Sequence, residues 1–176
     1  MVVLLFLSVL ALGFVRDSPG RHRRIARYLL AAAQDAHSDG TTPLSRAASK
    51  GNPEAVEALL IAKAAVNTAD NNGRSPLYNA AEFGHVEILK LLIEAKGDVN
   101  QCTKKGGYSP LMIASQEGFV EAVKLLLLNG ANVHHKDNDG DTALDWAIQS
   151  KHNPSVEAVL RAHIAKLEAD PEAARK

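Results

Sequence analysis

The chain has 176 residues, 20 basic and 20 acidic side chains, and 46% hydrophobic residues, enough for one globular body of ordinary size. A formal charge of zero excludes a whole-protein attraction for nucleic acid, and a single cysteine, Cys102, excludes an internal disulfide framework. An aromatic content of 5% suits short helices packed through Ala and Leu better than an all-β core.

Residues 1–15 are almost wholly apolar, and Arg16, Arg21, Arg23, Arg24 and Arg27 follow. As a helix this run would rise roughly 22 Å, short of a bilayer core of about 30 Å. The length fits a signal-peptide core, with Ala11-Leu12-Gly13 supplying small residues before Phe14. No Lys or Arg precedes the run, so the charge after it favours keeping the downstream chain in the cytosol. A membrane anchor with a cytosolic body, a cleaved secretory signal and a buried or disordered leader all stay open. The leader and its basic flank span 1–20. The arginines read as a membrane boundary, because no aromatic interleaving supports nucleic-acid binding.

From residue 37 onward the chain repeats itself. The units align on Gly40-Thr41-Thr42-Pro43-Leu44, Gly73-Arg74-Ser75-Pro76-Leu77, Gly107-Tyr108-Ser109-Pro110-Leu111 and Gly140-Asp141-Thr142-Ala143-Leu144. A period of 33 or 34 residues means stacked supersecondary units, each too small to bury its apolar face alone. The units run over 37–69, 70–102, 103–136 and 137–167, within a repeat domain of 21–167. A partial leading helix over 22–36 and a flexible tail over 168–176 complete the expectation.

Each unit opens on a turn signal, clearest in Asp70-Asn71-Asn72-Gly73 and Asp137-Asn138-Asp139-Gly140. Thr42, Ser75, Ser109 and Thr142 are placed to cap a following helix, and Pro43, Pro76 and Pro110 sit at its first position. Thr142 lacks the proline but has Asp145 three residues on, as in a capping box. The first helix is short, with small inward residues: Ala47 and Ala48, Ala80 and Ala81, Ala114 and Ser115, and Ala147. Gly51, Gly84 and Gly118 end it, and Lys151 holds that place in the fourth unit. Second helices follow over 53–62, 86–94, 120–128 and from 154 to about 164, with apolar residues at helical spacing. Gly130 ends the third of these, whereas Lys63 and Lys96 take the equivalent places in the first two. Val156, Val159, Leu160, Ile164 and Leu167 form the apolar stripe of a closing cap.

The pattern resembles the ankyrin repeat. The T-P-L-H-x-A-A stretch of that family appears as Thr42-Pro43-Leu44-Ser45-Arg46-Ala47-Ala48 and Ser75-Pro76-Leu77-Tyr78-Asn79-Ala80-Ala81, with weaker copies beginning at Ser109 and Thr142. Gly84-His85 matches the family's G-H. The resemblance implies an all-α ankyrin-repeat solenoid with short turn hairpins, about four repeats and partial caps. The histidine that follows T-P-L in the family is replaced by Ser45, Tyr78, Met112 and Asp145, so its hydrogen bond to the capping hydroxyl is missing in its usual form.

Other clusters read more simply as structure than as chemistry. His134 and His135, with Asp137 and His152, lack the shared face of a helical zinc motif. Cys102 shows no fixed histidine partner in the sequence. Asp139, Asp141 and Asp145 lack the distal glutamate of a calcium loop, and Gly106-Gly107 lacks the Lys-Ser/Thr of a phosphate loop. No metal, cofactor or catalytic residue is expected, and no enzyme. Trp146 reads as mostly packing.

The resemblance instead implies a protein partner bound on one concave surface. The positions it assigns are Asn71, Asn72, Arg74, Glu82 and Phe83 in the second unit; Lys105, Tyr108, Gln116 and Glu117 in the third; and Asn138, Asp139, Asp141, Gln149 and Ser150 in the fourth. The expected molecule is a monomeric, cytoplasmic adaptor or scaffold with no nucleic-acid partner. It would touch a membrane through 1–15, and secretion is left open. Two rival readings are a regulatory fragment of a larger ankyrin-containing enzyme or channel, and a secreted ankyrin effector.

Overall fold

The computed structural model describes residues 38–150 and 154–169. The readings for the leader, the basic flank, the leading helix, Lys151, His152 and residues 170–176 lie outside these residues. The described residues form eight helices in four antiparallel pairs and no strand. The short members are α1 (Pro43–Ser49), α3 (Pro76–Glu82), α5 (Pro110–Gln116) and α7 (Ala143–Ser150). Each is followed by a longer partner: α2 (Pro53–Ile61), α4 (Val86–Glu94), α6 (Val120–Leu128) and α8 (Pro154–Ala169). The last helix runs past the expected end near Ile164, taking Glu168 and Ala169 out of the expected tail.

Local chemistry sets these boundaries. Thr42, Ser75 and Ser109 are extended, and their hydroxyls accept the amides of Ser45, Tyr78 and Met112 at 3.1, 3.1 and 3.2 Å, ahead of a proline. At the other end Gly51, Gly84 and Gly118 have φ of 66°, 66° and 79°. The amide that follows each glycine reaches back to Ala47, Ala80 or Ala114, as a Schellman closure requires. The second helices close in the same way, with Lys63 (φ 60°) and Lys96 (φ 67°) carrying the strained corner that Gly130 (φ 83°) takes without cost.

The missing family histidine is partly replaced. In the first unit the Thr42 hydroxyl donates to Ser45 Oγ at 3.0 Å. In the fourth, Asp145 accepts the Thr142 amide at 2.8 Å and its hydroxyl at 2.6 Å. Even Met112 Sδ accepts the Ser109 amide, at 3.4 Å. Ser45, Met112 and Asp145 thus each supply a side-chain acceptor at a cap that lacks the family histidine.

The helices stack in two layers. Short helices pack on short helices, long on long, and α8 closes the stack against α6 and α7. The short helices approach more closely than the long ones. Their facing residues explain this: Ala48, Ala80, Ala81 and Ala114 are fully buried, whereas the long layer interposes Ile88, Leu89, Leu92, Val123 and Leu126. Val156 and Leu160 are fully buried, and Val159, Ile164 and Leu167 are partly so. The cap stripe is thus in place.

The change from a 33- to a 34-residue spacing has a local cause. Hairpins close where the amide of Asp70 bonds the carbonyl of Arg74, that of Thr103 bonds Tyr108, and that of Asp137 bonds Asp141. The third-unit hairpin is one residue longer than the other two. Gly106 (φ 88°) and Gly107 (φ 72°) absorb the extra residue in left-handed backbone.

Candidate partner-binding face

The face is built from the hairpins upward. Asp70 Oδ1 accepts the amides of Asn72 and Arg74, both at 2.9 Å, and its Oδ2 accepts Arg74 Nε at 2.9 Å. Asp137 repeats this with the amides of Asp139 at 3.0 Å and Asp141 at 2.9 Å. Its Oδ2 takes the Trp146 indole N–H at 2.9 Å. One buried carboxylate thereby organises a whole turn. Burial alone would push the Asp137 carboxyl up; hydrogen bonds from the Asp141 amide, the Trp146 indole and the Asp139 and Gly140 amides outweigh it and hold the group below the usual carboxylate range.

The hairpin tips are tied into a row. The Asn71 amide donates to Asp39 O at 3.0 Å and its side-chain Nδ2 to Ser38 O at 3.2 Å. The Lys104 amide donates to Asn72 O at 2.9 Å, and the Asn138 amide to Gly106 O at 2.8 Å. A second row runs along the opposite loops. Asn67 Oδ1 accepts the Asp98 amide and Asn100 Oδ1 the Asn132 amide, each at 2.8 Å. Each unit therefore fixes the register of the next through side-chain amides.

None of the assigned contact positions is buried. Asn71, Asn72, Phe83, Lys105, Glu117, Asn138, Asp139 and Gln149 are exposed; Arg74, Glu82, Tyr108, Gln116, Asp141 and Ser150 are half-buried. Many of them fall into two groups. Arg74 and Glu82 of the second unit lie within electrostatic reach of each other, and Glu82 within reach of Glu117 of the third. Burial pushes Glu82 up, Arg74 opposes this, and Glu117 and Asp70 add to it. Beneath them Tyr78 is 5% exposed, and burial, with Glu82 adding, pushes its phenol up to about 12.

The second group surrounds a cleft of about 290 Å³ between the third and fourth units, lined by Gln116, Asp137, Asp139, Asp141, Trp146, Gln149 and Ser150. Tyr108 meets Trp146 edge to face, with ring centroids 4.8 Å apart. Phe83 is 50% exposed and stacks on His85 at 6.1 Å.

Two readings change. Arg74 is less a free contact than the counter-ion of Asp70, whose side chain is 2% exposed. Trp146 is more than packing: its N–H anchors the fourth hairpin and its ring walls the cleft. A tryptophan nine residues after the turn aspartate, where other units carry Arg46, Asn79 and Ile113, was the only signal for it. Asn71, though exposed, has its side-chain amide engaged by the preceding unit.

Cys102 does gain a histidine, from one repeat away: Sγ lies 3.2 Å from His135 Nε2. The same nitrogen is 2.8 Å from Gly107 O and so carries a proton, leaving it no capacity as a base for the thiol. The thiol faces Asn100 O at 3.2 Å, and burial, with Asp98 adding, pushes it up. Among the described residues no group of three or more His, Cys, Asp or Glu is disposed to hold a metal ion. None of their helices is long and apolar enough to cross a membrane.

A family model described as ankyrin repeats (3 copies) matches residues 17–102 and 95–172, most of the chain. The chain belongs to the ankyrin repeat family. Comparison with curated proteins finds no match. Ankyrin repeats are in general protein–protein interaction modules, typically without a reaction of their own.

Proposed function

We propose that this ankyrin repeat protein is a non-enzymatic, monomeric adaptor that binds a partner protein along the concave side of its short helices and hairpin tips. The observation that carries this is the cleft between the third and fourth units. Helix α5, the fourth hairpin and helix α7 bring aromatic and polar side chains together there on a bonded frame. Aromatic anchors with a polar rim are the composition that concentrates binding energy. A surface already held by hydrogen bonds loses little ordering entropy on association. Nothing in the charge pattern favours nucleic acid as the partner. The apolar run over 1–15 is the reason to place the adaptor at a membrane, and sequencing the amino terminus of the mature protein tests that part.

The test is affinity capture with the full chain and with Phe83→Ala, Tyr108→Ala and Asp139→Lys. Lys90→Glu, an exposed position of α4, serves as the control. Each of the three changes is expected to weaken partner recovery by about tenfold or more, and the control is not. Unchanged recovery in three folded variants rejects this face. Arg74→Ala is a poor probe, because it would leave the Asp70 carboxylate buried without its counter-ion.

A further inference from the structure

We infer that the cleft between the third and fourth units receives a cationic side chain, an arginine or a lysine, from the partner protein. The inference rests on the partner-binding reading above and names the chemistry of what is bound.

The molecule contains its own reference for this site. The hairpins Asp70 to Arg74 and Asp137 to Asp141 have equal length and the same closing bond. In both, Oδ1 of the first aspartate accepts amides two and four residues on. In both, Oδ2 accepts one side-chain N–H at 2.9 Å. The donors match one for one, but the charges do not. In the second unit the donor is the guanidinium of Arg74; in the fourth it is the neutral indole of Trp146. The position that holds Arg74 in the second unit holds Asp141 in the fourth.

Among the described residues, the fourth hairpin therefore has its hydrogen bonds without its cation. Asp137 is 8% exposed. Asp141 accepts only a neutral donor among the side chains described, Gln149 Nε2 at 3.0 Å, and Asp139 stands exposed at the rim. The ion pairs among the described residues are Arg74–Asp70, Lys124–Glu121 and Arg161–Glu157, and none involves these three aspartates. Three carboxylates thus line one cleft beside the indole of Trp146. A guanidinium entering there would meet an aromatic ring and carboxylates, the two kinds of group it pairs with best.

Trp146 is the chain's single tryptophan, so its emission reports on this cleft alone. The probe is the peptide acetyl-Ala-Ala-Arg-Ala-Ala-amide, titrated into the full chain beside its Gln and Glu analogues. The arginine peptide should shift the emission saturably, and added salt should weaken the response. The Gln peptide should bind about tenfold more weakly or worse, and the Glu peptide should give no response. Asp141→Arg places a guanidinium where Arg74 stands in the second unit. It should keep or raise the urea midpoint and abolish the arginine response. Asp139→Asn should weaken that response, and covers the case in which Asp141→Arg does not fold. Equal responses to the Arg and Gln peptides, or an arginine response that survives in folded Asp141→Arg, overturns the inference. If the arginine response is absent while capture still depends on Phe83 and Tyr108, this inference falls and the concave-face reading stands. If capture ignores those residues while the arginine response holds, the concave-face reading falls and with it the partner as the source of the cation, leaving only a cation-binding cleft.

Discussion

Single side chains decide the corners and turns. Asp137 and Asp145 both titrate below the usual carboxylate range, Asp145 because the Thr142 hydroxyl and amide bond it. A depressed folded pKa contributes stability that is complete above the unfolded value of about 3.9 and is lost as pH falls through the folded value. Urea midpoints should therefore fall as pH drops below about 4. Asp137→Asn should flatten part of that fall. It should also cost about 1–3 kcal/mol at neutral pH, because whichever way the amide turns, its N–H₂ meets a donor, either Trp146 Nε1 or the turn amides. Lys96 offers the opposite case. It is exposed, and its left-handed backbone (φ 67°) carries a Cβ penalty that Gly130 avoids at the equivalent corner. Lys96→Gly should raise stability by about 1 kcal/mol, read from denaturant unfolding.

At the level of elements, glycines let one unit approach the next. A Cβ at Gly84 would lie 2.6 Å from the Phe119 ring, and one at Gly51 2.6 Å from the His85 ring. His85 and Phe119 do not cap their helices with a side-chain bond; they cover the glycine of the preceding unit instead. Gly73 is tighter still, with Lys104 N 2.4 Å from a built Cβ and φ at 86°. Gly73→Ala should cost more than Gly84→Ala, because a backbone atom yields less than a ring. Both should exceed the roughly 1 kcal/mol of left-handed strain alone. Paired equilibrium unfolding of the two variants checks the order.

Among the described residues, the main helix contacts join neighbouring units, since short helices touch short and long touch long along the stack. Such a chain is a one-dimensional array, in which a central defect uncouples the ends. Leu111 is 1% exposed at the middle of the stack. Leu111→Ala should cost about 2–5 kcal/mol and broaden the urea transition, whereas Leu160→Ala in the end helix should lower the midpoint with less loss of slope. Equal loss of slope in both would count against nearest-neighbour coupling. The proposed partner face belongs to this scale, because it needs hairpins and helices from successive units set in one row.

The repeat, the helix pairs, their caps and their glycine stops were all legible in the residues, because each rests on bonds made within a few positions of chain. Thr42-Pro43, Gly84-His85 and the apolar stripe of α8 are local facts, and local facts survive in a string. Pairings one repeat apart were not legible. The meeting of Cys102 with His135, the tie of Asn71 to Ser38 and the cleft beside Tyr108 arise only when equivalent loops are laid side by side. Periodicity says which positions become neighbours. Which atoms then bond is decided by rotamers and by the close approach of the short helices, and those exist only in the assembled stack.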